Sequence, residues 1–83
     1  MSNPSEQPVS QYESRIRLRN GGASPLTIVL EPWGTRQLLA PEAHVLVVAS
    51  GPAGQGELEV EYRADEIVVY GWSESRVAIV PET

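Results

Sequence analysis

Three features of the chain predict an all-β fold. Apolar and charged residues alternate strictly in Arg15-Ile16-Arg17-Leu18-Arg19 and again in Leu58-Glu59-Val60-Glu61-Tyr62-Arg63, the period-two pattern of half-buried antiparallel strands. Gly, Pro, Asn, Asp and Ser clusters interrupt the chain at nearly even intervals, as short strands joined by turns require. Nowhere between those breaks is there a helix-length segment with a 3.6-residue apolar period. The expected architecture is a small, mostly antiparallel β-sandwich or barrel of six to seven strands.

Residues 1–12 are rich in Ser, Gln, Pro, Asn and Glu, with Val9 the only aliphatic residue after Met1. Such a segment buries too little apolar surface to offset the entropy of ordering it, so a mobile tail is expected. Residues 13–83 then form a single β domain. Its first strand is Arg15 to Arg19, with Ile16 and Leu18 facing inward. Asn20-Gly21-Gly22-Ala23-Ser24-Pro25 is a turn cluster. Leu26-Thr27-Ile28-Val29-Leu30-Glu31 is rich in β-branched residues and reads as a more deeply buried strand. Pro32-Trp33-Gly34 breaks it, Arg36-Gln37-Leu38-Leu39 is a shorter candidate strand, and Ala40-Pro41-Glu42 is the next turn.

His44 to Ser50 is the most apolar strand. Gly51-Pro52-Ala53-Gly54-Gln55-Gly56 reads as a flexible hairpin connection, since no Lys-Ser pair or helix follows to make it a phosphate loop. Leu58 to Arg63, Glu66-Ile67-Val68-Val69-Tyr70, which like His44 to Ser50 reads as a more deeply buried strand, and the shorter candidate Arg76-Val77-Ala78-Ile79-Val80 complete the set. Alternation assigns Ile16, Leu18, Leu26, Ile28, Leu30, Val45, Val47, Leu58, Val60, Ile67, Val69, Val77 and Ile79 to the interior.

There is also an internal echo. Thr27 to Gly34 aligns with Glu66 to Ser73 at one constant offset, matching Ile28 with Ile67, Val29 with Val68 and Trp33 with Trp72. With a short gap in the turn, Arg15 to Arg19 falls on Glu57 to Glu61. A pseudo-repeat of 15–39 and 57–80 would make each half a three-strand meander, joined by the strand from His44, and would put the two tryptophans at equivalent strand ends.

Composition narrows the chemistry. The 83 residues, 41% hydrophobic and 20% charged, suit one soluble globular domain that buries roughly 60% of its unfolded surface. There is no cysteine, so disulfides, thiolate nucleophiles, Fe–S clusters and sulfur-based zinc sites are excluded. One histidine, His44, leaves no multi-histidine metal cage, and no metal or cofactor is expected. All six basic residues are arginines, and eleven acids bring the net charge to −5. Phosphate-rich and anionic partners are disfavoured, so neither nucleic acid nor membrane is expected as a partner. The N-terminus carries no basic segment followed by an apolar one, and no apolar run approaches a membrane span, so a cytoplasmic location is expected.

Two constellations remain. Arg15, Arg17 and Arg19 share one strand face, as do Glu57, Glu59 and Glu61. If these strands were neighbours the stripes would pair across the ladder and fix register; otherwise either is free to meet a partner of opposite charge. Trp33 and Trp72, each next to a turn residue, either cap the open end of the core or, with Tyr70 or Tyr62 alongside and Glu31 and Glu74 as acceptors, form a stacking platform for a sugar, a proline-rich peptide or a cationic group.

His44, beside the turn at Pro41, reads as a surface residue more readily than as a base. Gly71-Trp72-Ser73-Glu74-Ser75 begins like a nucleophile elbow but has Ser75 where glycine is needed, and it lacks the strand-to-helix context. A small hydrolase using His44 is therefore the least favoured reading.

The layout of Asn20, Pro25-Leu26-Thr27-Ile28, Leu38 or Leu39, Pro41 and Val45-Leu46-Val47-Val48 resembles part of a cupredoxin or cupin-type sandwich. Those families' metal sites need two histidines and a cysteine, or several histidines and an acid. With one histidine and no cysteine, the resemblance implies architecture alone, and no site residue carries over.

The functional expectation is a small non-catalytic binding or assembly module that self-associates through protein contacts, because Val45 to Ala49 with Val68, Tyr70 and Trp72 offers more apolar surface than one small core buries. The alternative is a carbohydrate- or peptide-binding domain using Trp33, Trp72, Tyr70 and Glu31.

Overall fold

The computed structural model describes residues 11–53 and 57–81. It contains seven strands and no helix among these residues: β1 Gln11–Arg19, β2 Leu26–Glu31, β3 Thr35–Leu39, β4 His44–Pro52, β5 Glu59–Arg63, β6 Glu66–Tyr70 and β7 Arg76–Pro81. They form a three-stranded sheet ordered β1-β4-β7 and a four-stranded sheet ordered β3-β2-β6-β5. The all-β expectation holds, and two open sheets rather than a closed barrel realise it. No described helix is long and apolar enough to cross a membrane.

The interior follows from the alternation. Leu18, Val45 and Val47 of one sheet and Ile28, Leu30, Leu39, Ile67 and Val69 of the other form one buried cluster, against which Ile16, Leu26, Leu58, Val60, Val77 and Ile79 pack. Every residue assigned inward from the sequence is in this set. Leu39 and Ala43, at the edge of a turn too short to show periodicity, join it.

Pairing is antiparallel except between β2 and β6, which run parallel with Ile28 opposite Ile67, Val29 opposite Val68 and Glu31 opposite Tyr70. The parallel register is the same constant offset as the internal echo. The two similar segments are thus adjacent strands at the centre of one sheet, and Trp33 and Trp72 follow their equivalent ends. Beyond β2 and β6 the halves diverge. β1 lies in the three-stranded sheet while its counterpart β5 lies in the other, and β1 pairs with β4, not β2. Three-strand meanders are therefore not formed, because local alternation fixes which face a residue takes and says nothing about which strand lies beside it.

Other boundaries shift by a few residues. β1 begins at Gln11, so Tyr12 is in a strand and not in the expected tail; the remainder of the expected tail lies outside the described residues. Gly51 and Pro52 extend β4, and the link to β5 crosses between sheets, so it is not a hairpin. Residues 54–56 of that link lie outside the described residues.

Strand direction gives the sandwich two poles. One gathers the β1–β2, β3–β4 and β5–β6 turns around Asn20. The other gathers the β2–β3 and β6–β7 turns around Trp33 and Trp72.

Asn20 is 1% exposed and ties the first pole together. Its Nδ2 donates to the carbonyls of Ser24 at 2.8 Å and Leu39 at 2.9 Å, and its Oδ1 accepts from the Gly22 amide at 2.9 Å. Its backbone amide donates to Ala43 O, and its carbonyl accepts from the Glu42 amide. Buried polar groups are tolerated when bonded in this way. The role of Asn20 is invisible in the sequence, where an Asn-Gly pair reads only as a turn.

Candidate functional site

The second pole is the open one. The parallel ladder ends with the Gly71 amide donating to Glu31 O at 3.2 Å, so Glu31 and Tyr70 stand side by side as the two strands finish. β2 then turns back within its own sheet through Pro32, Trp33 and Gly34, closed by the Gly34 amide on Leu30 O at 2.7 Å. Gly34 has φ 74°, a conformation glycine reaches without strain. β6 instead leaves its sheet for β7 through Trp72 to Ser75, a turn closed by the Ser75 amide on Trp72 O at 2.9 Å.

This difference in exit decides the fate of the two indoles. Trp72 points between the sheets and is 7% exposed, whereas Trp33 is 49% exposed. The Trp72 Nε1 donates to Pro52 O at 3.0 Å, and Tyr12 of β1 meets its ring edge-on, with centroids 5.7 Å apart. Trp72 closes the core, as a strand-end tryptophan with a bonded N–H is built to do. Trp33 leans instead over the end of β6, its Cη2 3.3 Å from where a Gly71 Cβ would stand. A side chain at Gly71 would also run into Ser75 Oγ and come within 2.9 Å of Val77 Cγ2, so only glycine lets the turns approach this closely.

Between these turns lies a cleft of about 560 Å³, lined by Glu31, Pro32, Trp33, Tyr70 and residues 71–75. All four ligand-site residues read from the sequence, Trp33, Trp72, Tyr70 and Glu31, line it. Glu74, with φ 66°, the other acceptor read from the sequence, and Ser75 complete it, whereas Tyr62 of β5 is not in the lining. The Ser75 hydroxyl is buried and has no hydrogen-bond partner, an exception to the rule for buried polar atoms. It was not anticipated as a site residue, because serine in a Ser-Glu-Ser turn carries no distinguishing signal.

Tyr70 also belongs to a polar cluster on the outer face of the four-stranded sheet. Its hydroxyl donates to Glu61 Oε1 at 2.7 Å, and Arg63 donates to that oxygen and to the Tyr70 hydroxyl, both at 3.3 Å. The bond from Tyr70, reinforced by Arg63, holds the Glu61 carboxyl below its usual range. The same bond to Glu61 pushes the Tyr70 phenol above its ordinary value, with desolvation adding to it, and Glu61 raises Arg63. On this face Val29 lies opposite Arg36, which bridges to Glu66, and Val68 lies opposite Glu61. The long charged side chains shelter both valines, which are 6% and 1% exposed.

The charged stripes do not pair with each other. Arg15, Arg17 and Arg19 face Val48, Leu46 and His44 of β4, Arg15 bridges to Glu13 at 3.5 Å, and Arg19 bridges to Glu42 at 3.1 Å. Glu59 and Glu61 face Tyr70 and Val68, while Glu57 precedes β5. The surplus of apolar surface is also smaller than expected. Val45, Val47, Ala49, Val68 and Trp72 are all buried within a single chain: the three β4 residues face the interior, Trp72 closes it, and Val68 has polar cover on the outer face of the four-stranded sheet.

His44 opens β4 at the Asn20 pole, whereas Ser73 and Ser75 line the cleft at the other. Among the described residues no group of three or more His, Cys, Asp or Glu is placed to hold a metal ion. Compared with known proteins, the chain matches no family model, no curated protein and no solved structure.

Proposed function

We propose that the protein is a non-catalytic binding module that seats its ligand, a peptide segment or a sugar ring, in the cleft at the Trp33–Trp72 pole. The observation that carries this reading is the exposure of Trp33. Half of a large aromatic surface stays open to solvent beside a second tryptophan, a tyrosine and two carboxylates, in a concavity of ligand-binding size. Isolated exposed aromatics are ordinary; one that forms the wall of a cleft is the arrangement that stacking recognition uses. Trp72 supplies the rigid floor, fixed by Pro52 and Tyr12, and ordering costs on binding are correspondingly low.

Tryptophan emission, followed during titration with a panel of short peptides and neutral oligosaccharides, tests the assignment. A saturable change that disappears in Trp33→Ala supports it, and silence across the whole panel overturns it.

Self-association is a second reading, favoured by the outer face of the β1-β4-β7 sheet. There Leu46 and Val48 are half-buried and Val80 is 42% exposed, bordered by Arg15, Arg17 and Arg19. On the opposite sheet Glu59 lies beside the Glu61–Arg63–Tyr70 cluster, so a second copy would meet this face with an acidic edge at Glu59. Light scattering at millimolar protein in low and high salt tests it: a salt-sensitive dimer or larger species supports self-association, and a monomer throughout removes it.

A further inference from the structure

Resting on the assignment of the end cleft as the binding site, we propose that the group it recognises is an organic cation, a guanidinium or ammonium that stacks on Trp33 between Glu31 and Glu74. The cleft has two faces of argument, charge and hydrogen-bond polarity, and both point the same way. Its lining contains two carboxylates and no basic residue. Arg76 lines an adjoining recess with Glu74, Ser50, Gly51 and Pro52. A cation entering the cleft therefore meets negative charge with no competing positive charge in the lining, and the chain's net charge of −5 adds to the attraction.

Hydrogen-bond polarity narrows the class further. Two donors of the lining are already used within the protein: Trp72 Nε1 on Pro52 O and the Tyr70 hydroxyl on Glu61. The carboxylates remain: among the described residues no hydrogen bond or ion pair engages the Glu74 side chain. Carboxylates, which only accept, beside ring faces match a ligand that only donates, which describes guanidinium and ammonium groups. Phosphates and carboxylates bring acceptors to acceptors and are repelled. Sugars, which both donate and accept, satisfy only part of the lining. Trp33 adds the ring face that such cations prefer, in a site partly withdrawn from water, where the attraction is strongest.

The test compares one peptide in three forms, acetyl-Gly-X-Gly-X-Gly-amide with X as arginine, citrulline or glutamate, using tryptophan emission and calorimetry on the full chain. Citrulline keeps the shape of arginine and removes its charge. The arginine form is expected to bind at least about tenfold more tightly than the citrulline form, and the glutamate form not measurably. Trp33→Ala is expected to lower arginine-peptide affinity about tenfold, and the pair Glu31→Gln with Glu74→Gln several-fold, with a weaker dependence on salt. Tetramethylammonium chloride separates the sources. Binding within a few-fold of the arginine peptide indicates a free small cation, and much weaker binding indicates a peptide side chain; both support a cation.

Equal affinity for the arginine and citrulline peptides, lost in Trp33→Ala, overturns the cation while leaving the cleft as the site. No binding by any of the peptides or by a neutral oligosaccharide overturns both. Circular dichroism of each variant, matched to the parent, ensures that lost binding is not lost folding.

Discussion

The two poles of the sandwich each hold one buried polar side chain among the described residues, and the two are satisfied in opposite ways. Asn20, at the closed pole, makes three side-chain hydrogen bonds that join the β1–β2 turn to the end of β3. Ser75, at the open pole, makes none. Around Asn20 the turns satisfy one another. Around Ser75 the turns pack closely, with Gly51 and Gly71 against it, yet its hydroxyl goes unsatisfied. It lies at the pole that also holds the cleft and its aromatic and acidic residues.

The same lesson repeats within the open pole. Trp33 and Trp72 follow neighbouring parallel strands at equivalent positions, yet one is 49% and the other 7% exposed. Sequence context is nearly the same for both; what differs is the destination of the chain. A turn back into the same sheet leaves Trp33 outside, and a crossing to the other sheet carries Trp72 beneath β1 and β4.

Substitutions sharpen this contrast. Trp72→Ala should have the largest effect, a loss of about 3–5 kcal/mol, enough to leave a domain of this size partly unfolded; the shift in urea midpoint measures it, with Trp72→Phe retaining more of the stability. Asn20→Ala should cost about 2–3 kcal/mol, since it strands the carbonyls of Ser24 and Leu39 and the amide of Gly22. Loss of under about 0.5 kcal/mol would mean that the closed pole does not depend on its hub. Ser75→Ala should be neutral or stabilising by up to about 1 kcal/mol, because it removes a hydroxyl with no partner. Trp33→Ala should change stability by less than about 0.5 kcal/mol and abolish the ligand-induced fluorescence change.

The smallest effect concerns the outer face beside the cleft. Glu61→Gln should bring the Tyr70 phenol back toward its ordinary titration range, as read by ultraviolet difference absorbance, because its bond to Glu61 holds the folded value up. The signs follow from linkage. The raised Tyr70 contributes stability that is present below its ordinary pKa and fades as pH rises through the folded value. The lowered Glu61 contributes stability that is present above the ordinary carboxylate range and fades as pH falls through its folded value. Both groups are solvent-exposed, so each contribution is slight.

The strands and their inward faces were legible in the sequence because β alternation is a local code. Ile28, Leu30, Ile67 and Val69 could be placed in the core without knowing their neighbours. The internal echo went further, since the offset that aligns Ile28 with Ile67 is the register of the parallel pair. Trp33, Trp72, Tyr70 and Glu31 meet in one cleft for the same reason: equivalent positions on adjacent strands end at the same pole. Sheet partnership was not legible, and the arginine and glutamate stripes, read as possible ladder partners, lie on different sheets. The burial of the strand Glu66–Tyr70 was legible from its composition; what covers the outer face of Val68 was not, because the cover depends on Glu61, Arg63 and Tyr70 arriving from other positions of the fold. Asn20 and Ser75 look alike in sequence, as small polar residues in turns, and only their three-dimensional neighbours distinguish a structural hub from an unsatisfied hydroxyl.

Amide chemical-shift mapping during titration with the arginine peptide addresses the division of labour between the poles most directly. Shifts confined to residues 31–34 and 70–76, with Asn20 and residues 40–43 unmoved, are the expected result. Perturbations centred on the Asn20 pole, or spread over the β1-β4-β7 face with the cleft silent, would contradict it.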